Sequence, residues 1–120
     1  MDNPADLAFR ARLQTLYDQY AASVPAMMAV IEQAGALCAS DGRSTEHMTA
    51  LNRALHAVAG SAGTFGFSAL GHACRRLEHA VRDVMDTPQA ADAAWPRLEG
   101  EIARLLVSTA TDPRAMPGCV

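Results

Sequence analysis

The chain contains no lysine: its ten basic residues are all arginine, set against thirteen acidic ones for a net charge of −3. With a pI near 5.7 and no basic stripe, the composition gives no support to nucleic-acid binding. No segment is expected to reach the roughly 18 apolar residues of a membrane span, and Met1-Asp2-Asn3-Pro4 lacks a cationic region followed by an apolar one, so a cytoplasmic protein without membrane contact is expected. The three cysteines, Cys38, Cys74 and Cys119, are odd in number and unpaired in spacing, which argues for reduced thiols. Also missing are a G-x-x-x-x-G-K-[ST] loop, a glycine-rich nucleotide lid and any constellation of carboxylates for a magnesium site, so no ATP binding, cofactor or metal is expected. Aromatics are only 5% of the residues while half are hydrophobic and alanine is abundant, a balance that suits closely packed helices. A length of 120 residues allows one domain with a modest core.

The signals present are helical throughout, and the fold class expected is all-α. Asn3 before Pro4 reads as an N-cap with proline at the first helical position, opening a helix to about Ala22 with Leu7, Leu13, Leu16, Tyr17 and Tyr20 turned inward. Ser23-Val24-Pro25 repeats that start signal and predicts a second helix to about Ala39, using Met27, Met28, Ile31, Ala34, Leu37 and Cys38. After Asp41-Gly42-Arg43, Ser44 or Thr45 can cap a helix in which Met48, Leu51, Leu55, Val58, Ala62 and Phe65 recur at steps of three and four. Phe65-Gly66-Phe67 reverses the chain, with Ser68 a possible cap. The same spacing then resumes at Phe67, Leu70, Cys74, Leu77, Val81 and Val84, which makes an antiparallel helical hairpin. Asp86-Thr87-Pro88 ends that element. A last helix starts between Gln89 and Pro96, with Asp92 a possible cap, uses Trp95, Leu98, Ile102 and Leu105, and stops at Thr111-Asp112-Pro113. Residues 1–112 are thus expected as one bundle and residues 113–120, Cys119 included, as a flexible tail.

Opposite the stripe of the central helix lie Arg53, His56, Ala57, Gly60 and Thr64, where an ordinary solvated face would carry mostly Glu, Lys and Arg. Glycine costs about 1 kcal/mol against alanine in a helix interior, so Gly60 and Gly63 break a local rule beside an outward histidine. That is the surface a nucleophile needs if its partner is another protein. Two plainer alternatives are glycines that admit a neighbouring helix of the same chain and a histidine that is merely exposed. On the following helix His72, Arg75, Arg76, His79 and Arg82 form a cationic face suited to an acidic partner, or a solvated face of little consequence. His47, His56, His72 and His79 lack the i, i+3 or i, i+4 spacing of a helical zinc site.

The run His56-x-Val58-x-Gly60-Ser61-Ala62-Gly63-Thr64-Phe65-Gly66, followed by Leu70, Cys74, Leu77 and Glu78, resembles the signature of histidine-containing phosphotransfer (HPt) domains. The resemblance implies an antiparallel up-down four-helix bundle, here with an additional N-terminal helix. It implies a carrier, not an enzyme with its own ATP site. His56 would accept a phosphoryl group through Nε2 from a receiver-domain aspartate, and Gly60 and Gly63 would let the receiver approach. The implied partners are response-regulator receiver domains and a hybrid sensor kinase, with the carrier itself a monomer. Many members have lysine three residues after the histidine. Ala59 stands there instead, so Arg53, Arg75 or Arg76 is expected to supply the charge. The absent lysine also frames the competing expectation, a degenerate bundle that binds a kinase or receiver without being phosphorylated.

Overall fold

A computed structural model describes residues 3–111 as four α-helices: α1 (Pro4–Ser40), α2 (Thr45–Ser61), α3 (Ser68–Asp86) and α4 (Ala91–Thr111). Residues 1, 2 and 112, and the expected tail 113–120 with Cys119, lie outside the described residues. Short 3₁₀ turns at Ala62–Phe65 and Pro88–Ala90 lead into α3 and α4. The helices alternate in direction around one core built from the expected stripes: Met48, Leu51, Leu55, Val58 and Ala62 from α2 and its turn, Leu70, Cys74, Leu77, Val81 and Val84 from α3, and Trp95, Leu98, Ile102 and Leu105 from α4.

The N-terminal part departs from expectation. The two helices anticipated on either side of Ser23 are one 37-residue helix with Pro25 inside it. Proline in a helix interior costs about 3 kcal/mol. Val24, Met28 and Ile31 around it are 1%, 6% and 0% exposed, and burying such side chains gains about 1.5–3 kcal/mol apiece, so packing across the proline outweighs the break. The Ser23 hydroxyl turns back to donate to the Tyr20 carbonyl at 2.6 Å. At about 1.5 Å per residue α1 is roughly twice as long as its 17- to 21-residue neighbours. Its first half therefore runs past the bundle, and no described residue before Val24 is buried. Leu7 and Leu16, expected inward, are exposed, while Leu13, Tyr17 and Tyr20 are half-buried. Leu37 also lies outward, at 38% exposure. Contrary to the expectation that no segment reaches the length of a span, α1 includes an 18-residue stretch of mean hydropathy 1.3, long and apolar enough by length and composition to cross a membrane, its few charged residues being diluted among alanine and other apolar side chains. Its row Val24, Met28, Ile31, Ala34 and Cys38 packs into the bundle as a core helix does.

Caps set the frame. Asn3 Oδ1 accepts from the Asp6 amide at 2.9 Å, and Ser44 Oγ accepts from the His47 amide at 3.2 Å. Ser68 is the first residue of α3, not its cap; that place falls to Phe67, whose side chain makes no capping bond. Asp92, in the first turn of α4, pairs with Arg43 across the molecule. Gly66 has φ +87°, the left-handed region that favours glycine, and the Phe67 amide closes the reversal on the Ala62 carbonyl at 2.8 Å. The turn is fastened to α1 by Tyr20, whose ring stacks on Phe65 at 4.9 Å and packs against Phe67 at 5.4 Å. Burial pushes the Cys74 thiol up to about 12 and that of Cys38, aided by the charge of Asp41, to about 11, so both behave as small core residues.

Candidate functional site

α3 comes close to the end of α2 and its 3₁₀ turn at a glycine the sequence pattern did not single out. A Cβ at Gly71 would already touch the Ala62 side chain and the Gly63 amide at 3.5 Å and the Ala59 carbonyl at 3.7 Å. The two backbones approach there because nothing stands between them. Gly60 and Gly63 behave in the opposite way, since a Cβ at either would meet no atom within 4 Å. They admit no helix of this chain, which removes one of the two plainer readings of those glycines.

One turn before Gly60, His56 projects from the seam with its side chain 73% exposed. Its Nδ1 lies 2.7 Å from Glu78 Oε1 of α3. Glu78 is buried, its side chain 6% exposed, and it is the one charged residue buried among the described residues. A carboxylate withdrawn from water needs partners. Here it has the imidazole and the Arg82 guanidinium, whose Nη2 is 3.5 Å from the same oxygen. Asn52, one turn before His56, donates from Nδ2 to the Glu78 carbonyl at 3.1 Å and fixes the backbone that carries the carboxylate. A carboxylate accepts, so Nδ1–H donates to Glu78, and Nε2 is the ring nitrogen left for a partner. The merely exposed histidine, the other plain reading, does not account for a buried carboxylate aimed at it.

The remaining candidates fall in distinct places. Arg53 is exposed on α2, one turn before His56, and Arg76 is exposed on α3. The Ala59 side chain is 8% exposed and belongs to the core, so only its carbonyl reaches the seam, where it accepts from Arg75 Nη2 at 3.4 Å. Ser61 donates to the Ala57 carbonyl at 2.9 Å and shares a 2.8 Å hydrogen bond with the Tyr20 hydroxyl, whose proton is held more firmly than usual by burial. His47 pairs with Asp41 in the α1–α2 loop, away from His56. His72 and His79 are exposed on α3. Among the described residues no three His, Cys, Asp or Glu side chains gather as metal ligands.

The sequence pattern singled out His56, the two open glycines and the cationic face of α3, quoted Glu78 within the signature without a role, and passed over Asn52 and Gly71. A signal existed for Glu78: it lies four residues after Cys74 and three before Val81, on the inward row of an otherwise apolar stripe.

Compared with known proteins, residues 15–107 match the family model described as Hpt domain. Neither the curated proteins nor the solved structures provided a match to this chain.

Proposed function

This chain belongs to the Hpt domain family, and from that premise we propose that it is a phosphocarrier of a two-component phosphorelay, with His56 as the phosphoacceptor. It takes the group from the aspartyl phosphate of one response-regulator receiver domain, passes it to a second, and works in the cytoplasm downstream of a hybrid sensor kinase. The observation that carries the reading is the pairing of His56 Nδ1 with buried Glu78 at 2.7 Å, on a ring otherwise open to a partner.

In the transfer, Nε2 attacks phosphorus in line. The N–P bond forms as the P–O bond to the donor aspartate breaks, and the electron pair of that bond leaves with the carboxylate. The ring gains positive charge as it does so. Glu78 accepts the Nδ1–H hydrogen bond, so the charge develops beside an anion and no proton has to leave Nδ1. Catalysis then consists of positioning and charge neutralisation, and a divalent metal can reside wholly in the receiver. Gly60 and Gly63 leave the lane open along which the donor surface reaches Nε2, and the arginines of α3 face its acidic pocket.

The test is phosphoryl transfer from a panel of phosphorylated receivers to wild type and His56→Gln. Acid-labile, base-stable label on wild type alone supports the carrier. Label on His56→Gln removes the central claim. Receiver or kinase binding without label on either protein supports instead the degenerate interaction domain, the reading that the alanine at position 59 favours.

A further inference from the structure

Placing the nucleophile at His56 leaves open which cation meets the phosphoryl oxygens, and Arg75 and Arg82, both held on the α2–α3 seam, differ in what they have to offer. Arg82 Nη2 is 3.5 Å from Glu78 Oε1, so its charge is directed at an anion that already serves the imidazole. Arg75 Nη2 is 3.4 Å from the carbonyl of Ala59, a neutral acceptor that fixes the guanidinium without cancelling its charge. Ala59 is three residues beyond His56 and next to Gly60, so this anchor lies at the edge of the open lane, where added Cβ atoms at Gly60 and Gly63 would meet nothing within 4 Å. Arg53 lies on the other side of His56, away from those glycines.

We infer that Arg75 is the phosphoryl-binding residue of this carrier: reaching across from α3 and steadied by the Ala59 carbonyl, its guanidinium contacts the non-bridging oxygens of the group moving between the receiver aspartate and His56 Nε2. The inference rests on His56 as the phosphoacceptor. A guanidinium carries five N–H donors in a planar fork that matches phosphate oxygens in pairs, and the bond to Ala59 occupies only one nitrogen. Charge on the transferring group is spread over three equatorial oxygens, so a fixed cation beside them lowers the barrier without joining the covalent chemistry. The N–P bond forms and the P–O bond breaks as above, with Arg75 neither gaining nor losing a proton.

The experiment follows label from a phosphorylated receiver to the full chain as wild type, Arg75→Ala, Arg75→Lys and Arg97→Ala, the last an exposed arginine on α4. Arg75→Ala slows transfer about 10- to 100-fold at saturating carrier, the loss of one charge-assisted hydrogen bond, melts as wild type does, and regains rate when millimolar guanidinium is added. Arg75→Lys retains part of the rate and Arg97→Ala all of it. Wild-type transfer by Arg75→Ala overturns the inference, as does a slowed rate that guanidinium leaves unchanged, and in both cases the labelled wild type leaves His56 standing. An unlabelled wild type would take down the phosphoacceptor reading and this inference with it.

Discussion

Replacing Glu78 by glutamine removes a charge from the site while keeping its shape and an acceptor oxygen. The native side chain is 6% exposed and its Oε1 is 2.7 Å from His56 Nδ1, so in Glu78→Gln the amide oxygen can accept from the same N–H. The nucleophilic tautomer survives, and only the charge assistance is lost. Hydrogen bonds to charged groups contribute about 1.5–3 kcal/mol and neutral ones about 0.5–1.5. Because the ring is 73% exposed, the low end of that difference applies, about 1 kcal/mol. That loss falls on the transition state, where the ring is turning positive, and slows transfer about fivefold. Glu78→Leu removes the acceptor altogether, frees Nε2 to take the proton, and slows transfer further. Its stability stays close to wild type, since the partners it leaves, His56 and Arg82, are 73% and 57% exposed and keep their contact with water, so no unpaired charge is left buried. Quench-flow transfer kinetics give the rates, and ¹⁵N–¹H correlation of the His56 ring identifies which nitrogen bears the proton. Wild-type rates in both variants, or a wild-type ring protonated at Nε2, would refute the role assigned to Glu78.

Gly60→Gln blocks transfer while stability stays level or rises by about 1 kcal/mol, because the site is open and glycine is a poor helix former; undiminished transfer rates would show that the gap is not a docking feature. Gly71→Ala is close to neutral in chemical denaturation, its Cβ landing at ordinary contact distance, whereas Gly71→Leu wedges the seam apart and costs about 2 kcal/mol. Hydrogen bonds from Ser44, and then the partner His47, hold the Asp41 carboxyl below its ordinary range. The lowered value means that Asp41 stabilises the fold above about pH 4 and that this contribution is lost as pH falls through the folded value; Asp41→Asn should therefore flatten the acid limb of stability measured against pH, and an unaltered limb would count against it.

The bundle was legible because three of its four helices are short, amphipathic and packed along their whole length, so a step of three or four reports the core directly. That logic broke down on α1. Ser23-Val24-Pro25 carries a genuine start signal, but local chemistry cannot register that Val24, Met28 and Ile31 pack against other helices strongly enough to carry the helix through. Nor can a stripe such as Leu7, Leu13 and Leu16 reveal that its neighbours are too short to reach it. At the site, His56 and Gly60 stood out because they break the rules of a solvated helix. Glu78 was named within the signature but carried no role, because its partner lies 22 residues away and only the hairpin closure brings the two together. Gly71 kept its role hidden for the same reason.

The central claim is that phosphate resides on Nε2 of His56, and its location can be read directly. The full chain, phosphorylated by a receiver, is examined by ³¹P–¹H correlation spectroscopy. A group on Nε2 couples to both ring protons, Hδ2 and Hε1, whereas one on Nδ1 couples to Hε1 alone. A single phosphorus correlated with both ring protons of His56 is the predicted result; phosphate on Nδ1, on another residue, or on none would contradict it.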